Sequence, residues 1–184
     1  MTVIPTNIPE VLILEPKVFG DSRGFFFESF NARTFQQVTG VVPAFVQDNH
    51  SRSCKGVLRG IHYQIRNPQG KLVRAVGGAV WDVAVDLRRS SPTFKRWAGT
   101  VLSDDNKRML WIPPGFGHGF LVLSDCVDFL YKTTAYYDQT ADRSLRWDDP
   151  ALAIQWPLEQ LGLPPILSTK DLKAPALTQA ELFD

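Results

Sequence analysis

Three histidines are the first residues to consider as general bases, because imidazole takes up and releases protons near neutral pH. His62 lies in the run 58–64, LRGIHYQ, His118 follows the turn PPGFG, and His50 lies in the polar stretch 47–51. For His62, the pattern alone leaves a catalytic base and a buried structural histidine equally open. For His50 we expect a solvated or turn-bonded ring in a loop, outside any site.

The spacing around His118 is that of a metal motif, but the ligand set is incomplete. Pro113, Gly115 and His118 follow the P-x-G-x-x-H spacing of the second metal motif of cupin jelly rolls, which predicts a strand after a tight turn. A stable divalent site needs three or four N or O ligands, and the cupin site takes two of them from a His-x-His pair upstream. The corresponding stretch here reads HYQ from His62, so we predict no bound metal.

Arg59 lies in the same run as His62. Strict alternation would place Arg59 and Ile61 on one face of a strand, and Leu58 and His62 on the other. An interior glycine often marks a β-bulge, and Gly60 stands between the two polar residues. A bulge at this position would let both polar side chains share one cavity.

Two further polar residues lie on predicted strands. Lys71 follows a turn and begins a strand, and spacing alone favours a solvated lysine at the strand end. Tyr131 shares the parity of Val127 and Phe129, so it points toward the apolar side. A core tyrosine with a satisfied hydroxyl is the simple alternative for that position.

The elements that must position these residues are short strands. Residues 80–88 alternate, with Trp, Val, Val and Leu at odd positions, which predicts a half-buried strand. Similar runs, divided by Gly, Pro, Asp or Asn, cover residues 96–102, 108–112, 119–123 and 127–134. Many short strands without long helices predict a mainly β protein, an antiparallel sandwich or barrel, with a jelly roll as the leading candidate.

Helix is predicted only in short pieces, over residues 31–38 and in the tail after Pro150. The tail carries two capping-box patterns, Ser168-x-x-Asp171 and Thr178-x-x-Glu181, which favour short helical turns packed on the β body. Such a tail can close one mouth of a barrel. No internal repeat or linker divides the 184 residues, so we predict one domain over residues 1–184.

Composition excludes several classes of protein. The 20 Lys and Arg against 19 Asp and Glu leave a charge of +1, which argues against a nonspecific binder of nucleic acid or anionic membranes. The first fourteen residues resemble no secretory signal, and no apolar run is long enough to span a bilayer, so we expect a cytoplasmic protein. Cys54 and Cys126 form no CxxC pair and are expected to be reduced structural thiols.

Taken together, the ordered segments resemble the dTDP-4-dehydrorhamnose 3,5-epimerase family from about residue 3 to residue 175. The segments are DSRGFF from Asp21, QDN from Gln47, LRGIHYQ, GKLVR from Gly70, WIPPGF from Trp111, HGF from His118, LYKTT from Leu130, RWDDP from Arg146 and LSTKD from Leu167. The one small departure is Ile61, where leucine is common in the family.

The resemblance implies a metal-free and cofactor-free cupin-type jelly roll that works as a homodimer. Its members invert two carbons of a dTDP-linked 4-keto-6-deoxyhexose. Both carbons flank the 4-ketone, so a base, an oxyanion partner and a proton donor suffice. The family pattern makes His62 the base, Lys71 the cation beside the 4-oxyanion, and Tyr131 the donor on the opposite face of the sugar. Asp171 matches the carboxylate partner of the histidine, although it also completes a capping box with Ser168.

The resemblance also assigns the nucleotide half of the ligand. Arg59 and Gln47 belong to the diphosphate and sugar side, and Asn49 and His118 belong to the pocket without a firm role. Three residues, commonly supplied by the partner subunit, handle phosphate and thymine: Arg23, Phe26 and Glu28. Lys170 either adds positive potential near the phosphates or is a solvated surface lysine.

Two other functions stay open at this point. Relatives that share these motifs invert only one carbon or use another nucleotide sugar. A non-catalytic or metal-binding cupin that binds sugars is the alternative of a different class.

Overall fold

Two antiparallel β-sheets packed face to face form the body of the protein. The computed structural model describes residues 1–42 and 44–184. The strands are β1 (Thr2–Pro5), β2 (Leu12–Glu15), β3 (Phe19–Asp21), β4 (Gly24–Phe26), β5 (Gln47–Cys54), β6 (Leu58–Gln64), β7 (Lys71–Gly77), β8 (Ala79–Asp86), β9 (Trp97–Ser103), β10 (Met109–Ile112), β11 (Phe116–Val122), β12 (Cys126–Thr133) and β13 (Asp142–Ser144). The mainly β jelly-roll architecture predicted from the sequence is confirmed.

The strands that carry the candidate residues are divided between two main sheets. The first sheet runs β1-β2-β10-β7-β12-β5, and the second runs β13-β6-β11-β8-β9. Strands β3 and β4 form a separate two-stranded hairpin. His50 lies within β5 and not in the loop predicted for it, because residues 47–54 pair in register with β12.

Apolar side chains from both sheets meet between them. Phe120 of β11 and Phe129 of β12 stack with their ring centroids 4.4 Å apart, and they join the second sheet to the first. Val73, Val80 and Ala84 are buried in the same cluster. This packing fixes the separation of the two sheets and therefore the width of any space between them.

Residues 80–88 are predicted to form a half-buried strand, but both faces of β8 are covered. Val83 and Val85 on its outer face pack against residues of the C-terminal tail such as Leu152. The inner face carries Val80 and Asp82, and the exposure of Asp82 is 0%. Alternation identifies two faces of a strand, but it does not reveal that both are covered.

Helices are short, as predicted. Helix α1 (Ala32–Thr39) begins at the cap residue Asn31 and ends at Gly40, which adopts φ 72°. Helix α2 (Thr169–Leu172) begins at Ser168, whose hydroxyl accepts a hydrogen bond from the Asp171 amide, so the short helical turn expected there and its serine cap are confirmed. The described residues also contain 3-10 turns at Leu158–Gln160 and Leu177–Gln179.

The second capping box is wrong, but the expected packing of the tail on the β body is confirmed. Ala176 occupies the cap position of the last 3-10 turn without a side-chain hydrogen bond, and Glu181 instead pairs with Arg143. Most of the tail covers the outer face of the second sheet. Only the segment 166–171 borders the space between the sheets. Among the described residues, no helix has the length and apolarity needed to cross a bilayer.

Candidate active site

A cavity of about 480 Å³ lies between the two sheets. Strands β5, β6, β7, β11 and β12 and the segment 166–171 contribute to its walls. Six of the residues selected from the sequence line it: Arg59, His62, Lys71, His118, Tyr131 and Asp171. The fold therefore places most of the candidate catalytic and binding side chains around one cavity.

A bulge in β6 brings Arg59 and His62 to the same cavity. His62 pairs with His118, whereas Arg59 pairs with Phe120, so three steps along β6 match two steps along β11. Gly60 has φ +116°, a conformation that disfavours any side chain. The bulge expected from the interior glycine is confirmed, and it cancels the alternation that would otherwise separate the two polar groups.

His62 is held by a buried carboxylate. Its Nε2 lies 2.6 Å from Oδ1 of Asp171, whose exposure is 3%. Ser168 donates to the other carboxylate oxygen at 2.7 Å. Burial raises the pKa of Asp171, but the hydrogen bonds from His62 and Ser168 outweigh burial, and the pKa lies below its usual value. The carboxylate therefore stays charged and accepts from Nε2, which leaves Nδ1 of a neutral ring with the free lone pair.

Asp171 thus combines the two roles that the sequence left open. Its backbone amide donates to the Ser168 hydroxyl that caps α2, and its carboxylate accepts from His62. Helix α2 positions the Asp171 carboxylate, which in turn positions the His62 imidazole.

Lys71 is a buried cation, which makes the solvated lysine favoured by spacing wrong. It begins β7 as predicted, but it is only 9% exposed. Burial lowers the pKa of Lys71 to about 8, while the charges of Asp142 and Asp82 act in the opposite direction. Within the described residues, 1–42 and 44–184, no hydrogen bond to Lys71 offsets this lowering of its pKa. An ammonium group in such a setting is suited to meeting a negatively charged oxygen of a ligand.

Tyr131 faces His62 from the opposite sheet. It lies on β12 of the first sheet, between Val73 and Asn49, whereas His62 belongs to the second sheet. The side chain packs against the inter-sheet core, as its parity predicts. Burial raises the pKa of Tyr131, so its phenol keeps its proton at neutral pH and can donate it. An imidazole and a phenol therefore line one cavity from opposite sheets.

A second histidine–carboxylate pair lies deeper in the wall. Nε2 of His118 is 2.9 Å from Oδ2 and 3.1 Å from Oδ1 of Asp82. The ring of His118 stacks on Phe129 with a centroid distance of 6.1 Å. Burial lowers the pKa of His118, against the opposing effect of Asp82. The strand and tight turn predicted around His118 are confirmed, since it lies in β11 after Gly115 with φ +91°.

Comparison with known proteins decides the family. A family model described as dTDP-4-dehydrorhamnose 3,5-epimerase matches residues 5–179. The chain belongs to the dTDP-4-dehydrorhamnose 3,5-epimerase family. The matched region contains every one of the cavity residues described above.

The similarity to individual relatives covers most or all of both chains. A dTDP-4-dehydrorhamnose 3,5-epimerase from Salmonella typhimurium is 58% identical over 185 residues, covering 100% of each chain. A crystal structure of dTDP-6-deoxy-D-glucose-3,5-epimerase from Legionella pneumophila, in complex with dTDP-4-keto-L-rhamnose, is 52% identical with a TM-score of 0.94 and covers 98% of this chain and 94% of that chain. A 3'-monoepimerase from Streptomyces bikiniensis, in complex with dTDP-quinovose, is 35% identical with a TM-score of 0.88 and covers 96% and 88%. The family resemblance and the cupin-type fold that it implied are confirmed.

Three residues that the epimerase family pattern assigns to nucleotide binding lie away from the cavity. Arg23 and Phe26 belong to the hairpin β3–β4, and the Arg23 side chain is 87% exposed and paired with Asp21. Phe26 is 71% exposed. Glu28 lies beside Phe26 on a shallow surface pocket and accepts a hydrogen bond from Asn31. The chain does not bring these residues to its own cavity.

Gln47 and Asn49 stand at the cavity's edge on β5. The side-chain amide of Gln47 donates to Oδ1 of Asn49 at 2.9 Å, and its carbonyl accepts from the backbone amide of Tyr137 at 3.0 Å. Asn49 lines a second cavity of about 310 Å³, which shares Tyr131 with the first. Gln47 and Asn49 are therefore close to the cavity of about 480 Å³ but do not line it.

Three polar residues in or behind the cavity wall are not among the candidates predicted from the sequence: Asp82, Tyr137 and Asp142. Asp82 was missed because it occupies a position that alternation assigns to the less apolar face, and its distance from His118 in the chain hides their contact. Tyr137 and Asp142 also line the cavity, and the Tyr137 hydroxyl donates to Asp142 at 3.2 Å. Lys170, for which the sequence leaves two roles open, lines the cavity and forms an ion pair with Asp142.

The described residues, which exclude position 43, contain no cluster of three or more His, Cys, Asp or Glu side chains able to hold a metal ion. The side chain at position 64, where a cupin site would have its second histidine, donates instead to the carbonyls of Asn67 and Tyr136. The cavity walls carry the imidazoles of His62 and His118, the phenol of Tyr131 and the cations of Arg59 and Lys71.

Proposed function

We propose that this protein inverts carbons 3 and 5 of dTDP-4-dehydro-6-deoxy-D-glucose to give dTDP-4-dehydro-L-rhamnose. The observation that carries the proposal is the placement of His62 and Tyr131 on facing sheets around one cavity, with buried Lys71 on its wall. The full-length match to epimerases acting on this class of nucleotide sugar supports the same conclusion.

The chemistry begins with removal of a proton next to the ketone. Nδ1 of neutral His62 takes the proton from carbon 3 or carbon 5, and the C–H electron pair moves into an enolate whose charge lies on the oxygen at carbon 4. The ammonium of Lys71 stabilises this oxygen, and its contribution is large because the cavity wall is buried. The phenol of Tyr131 then gives its proton to the same carbon from the opposite face.

Inversion requires this two-sided arrangement. A carbon that regained its proton from His62 would return to its original configuration, whereas protonation by Tyr131 reverses it. The tyrosinate recovers a proton from solvent, and the imidazolium releases one, so the protein is unchanged after each inversion. Asp171 fixes the tautomer of His62 and stabilises its charged form between the two transfers.

We also propose that the site is completed by a second copy of the chain in a homodimer. Arg59 lies in the cavity and is suited to the diphosphate, with Gln47 and Asn49 nearby on β5. The exposed hairpin β3–β4 presents Arg23 and Phe26, a cation and an aromatic ring, to the surroundings. A phosphate and a thymine need these two kinds of group, and a partner's hairpin can supply them together with Glu28.

A single-position epimerase is the second candidate, because a 3'-monoepimerase has the same fold at 35% identity. The choice between the two functions depends on which carbons come into reach of His62 and Tyr131. Identity of 58% to a 3,5-epimerase favours the double inversion.

Incubation with the 4-keto-6-deoxyglucose nucleotide in deuterated water tests these proposals. Deuterium uptake at both carbons with formation of the L-rhamno product is expected, and EDTA should leave the rate unchanged. Uptake at carbon 3 or carbon 5 alone would support the single-position epimerase. Binding without any uptake, or loss of activity in EDTA, would instead identify a sugar-binding or metal-dependent cupin.

The variant Tyr131→Phe separates the two halves of the reaction. It removes the donor and keeps the ring, so inversion should fall by about 10²–10⁴-fold. His62 should still exchange substrate protons with deuterium, with retention of configuration. His62→Ala should abolish both exchange and inversion while the variant still binds dTDP, and normal exchange in His62→Ala would exclude this residue as the base.

A further inference from the structure

Cys54 and Cys126 face each other across two paired strands. The register of β5 and β12 is unbroken over eight residue pairs, from Gln47 with Thr133 to Cys54 with Cys126. Both cysteines are free and exposed, and neither lines the cavity. Two cysteines far apart in the sequence are therefore cross-strand partners at the end of a sheet-edge strand.

The hydrogen bonds of the ladder set the distance between the two cysteines. The next pair along the strands is Lys55 and Asp125, and the Lys55 amide donates to the Asp125 carbonyl at 3.0 Å. Hydrogen-bonded and non-hydrogen-bonded pairs alternate in an antiparallel ladder, so Cys54 and Cys126 form a non-hydrogen-bonded pair with Cα atoms about 4.5 Å apart. Disulfides bridge Cα separations of about 4.4–6.8 Å, so no strand needs to move to join them.

The neighbouring pair on the same face shows that opposed side chains meet there. Arg52 and Asp128 are register partners two positions along from the cysteines, and they therefore point to the same side of the sheet. Their ion pair measures 2.7 Å between Nη2 and Oδ2. Because Cys54 and Cys126 stand opposite each other on this solvent-facing side, their shorter side chains converge as well.

We propose that Cys54 and Cys126 form a reversible redox site, a cross-strand dithiol that a low-molecular-weight disulfide oxidises. The thiolate of one cysteine attacks a sulfur of the oxidant and releases one equivalent of the small thiol. The second cysteine loses its proton to solvent and attacks the mixed disulfide, which forms the Sγ–Sγ bond and releases the second equivalent. Two protein thiols are oxidised, and one small disulfide is reduced to two thiols.

The disulfide joins β5, the edge strand of the first sheet, to its neighbour β12. Strand β5 has its only sheet neighbour in β12 among the described strands, and it carries Ser51 on the cavity wall. A link between residues 54 and 126 also closes a long loop of the chain, which restricts the unfolded state. The oxidised protein is therefore expected to unfold at a higher urea concentration than the reduced protein.

Oxidised glutathione provides the test with the full-length protein. The wild type should lose both thiols together and lose two hydrogen atoms in mass, without a link between chains, and dithiothreitol should reverse the change. Cys54→Ser and Cys126→Ser should each retain one glutathione adduct, because the resolving thiol is missing. Stable adducts on the wild type, disulfide links between chains, or two unreacted thiols would each overturn the proposal.

A trivalent arsenical tests the adjacency of the thiols without oxidation. Phenylarsine oxide bonds two neighbouring thiols at once, so the wild type should keep one equivalent in the presence of excess monothiol. Both serine variants should release it under the same conditions. Equal release from the wild type and from Cys54→Ser would show that the two sulfurs do not meet, and the redox site would be excluded.

Discussion

Nε2 of His62 lies 2.6 Å from Oδ1 of Asp171, although the two residues are 109 positions apart. Strand β6 supplies the imidazole, and the first turn of α2 supplies the carboxylate. Ser168 occupies the second carboxylate oxygen, so Asp171 has little freedom to rotate. A buried and doubly bonded carboxylate fixes both the orientation and the tautomer of the ring that it holds.

Replacing Asp171 by asparagine should lower kcat by about 10²–10⁴-fold, as expected when an orienting carboxylate is lost from a histidine base. The amide is nearly the same size, but it is neutral and can present an N–H to the ring, which selects the other tautomer. Deuterium exchange at carbons 3 and 5 measures the loss. KM should change little, because Asp171 acts through His62 and not by binding the nucleotide. Activity within threefold of wild type would contradict the orienting role.

Ser168→Ala is the matched control for this substitution. It removes one hydrogen bond to Asp171 and the cap of α2, but it leaves the contact between Asp171 and His62 in place. The free energy of unfolding should fall by about 1 kcal/mol. The rate of exchange should fall by about tenfold or less, so the two variants separate the role in folding from the role in catalysis.

Lys71→Met should stabilise the folded protein at neutral pH while abolishing activity. Burial lowers the pKa of Lys71 from 10.5 to about 8, so the folded state disfavours the ammonium. At about 1.4 kcal/mol per pKa unit, this unfavourable contribution reaches about 3 kcal/mol. It is fully present below pH 8, diminishes as the pH rises toward 10.5, and vanishes above that value. Urea unfolding at pH 7 and pH 10 should show an advantage for Lys71→Met that shrinks with pH; a less stable variant at pH 7 would contradict the argument.

The same pKa predicts the alkaline limit of activity. Stabilisation of the 4-oxyanion requires the charged form of Lys71, which is lost as the pH rises through about 8. The value of kcat/KM should therefore decline above that pH. A pH–rate profile that stays flat to pH 10 would show that the ammonium of Lys71 is not the group that meets the oxyanion.

Local sequence pattern predicts the strands and some of the site, but it does not predict contacts between distant strands. The parity of Tyr131 and the bulge at Gly60 could be inferred because both depend on neighbouring residues. Asp82 could not, because its partner His118 lies on another strand and the alternation of β8 does not show which face is covered. Spacing favours a solvated Lys71 for the same reason, since the wall that buries it comes from other elements.

The family resemblance supplied what local pattern could not. The pairing of Asp171 with His62 follows from the resemblance and agrees with the geometry of the cavity. Local pattern alone favours Asp171 as part of a helix cap, and its amide does donate to the Ser168 hydroxyl at the start of α2. Arg23, Phe26 and Glu28 remain predictions, because one chain does not bring them to its own cavity.

Gly60→Ala should destabilise the protein and impair the site together. A Cβ at this position would lie 2.6 Å from the Cα of Gly119 and 2.6 Å from the carbonyl oxygen of His118, and backbone atoms cannot move aside cheaply. The expected loss is about 2–5 kcal/mol in the free energy of unfolding. Gly40→Ala is the matched control, because Gly40 also has positive φ but no atom within 4 Å of the new Cβ. The control should lose only about 1 kcal/mol and keep full activity, and an equal loss in both variants would show that φ alone, and not the close approach, sets the cost.

Mixing two inactive variants tests whether a partner's hairpin completes the site. Arg23→Ala should impair nucleotide binding although the Arg23 side chain is 87% exposed and outside its own cavity. In a mixed dimer of Arg23→Ala and His62→Ala, one cavity has an intact His62 and receives an intact Arg23 from the partner, while the other has neither. Refolding the variants together should therefore restore measurable exchange, which neither shows alone. A mixture as inactive as its components would place Arg23 outside the partner's site, since a residue that serves only its own chain cannot be supplied by another.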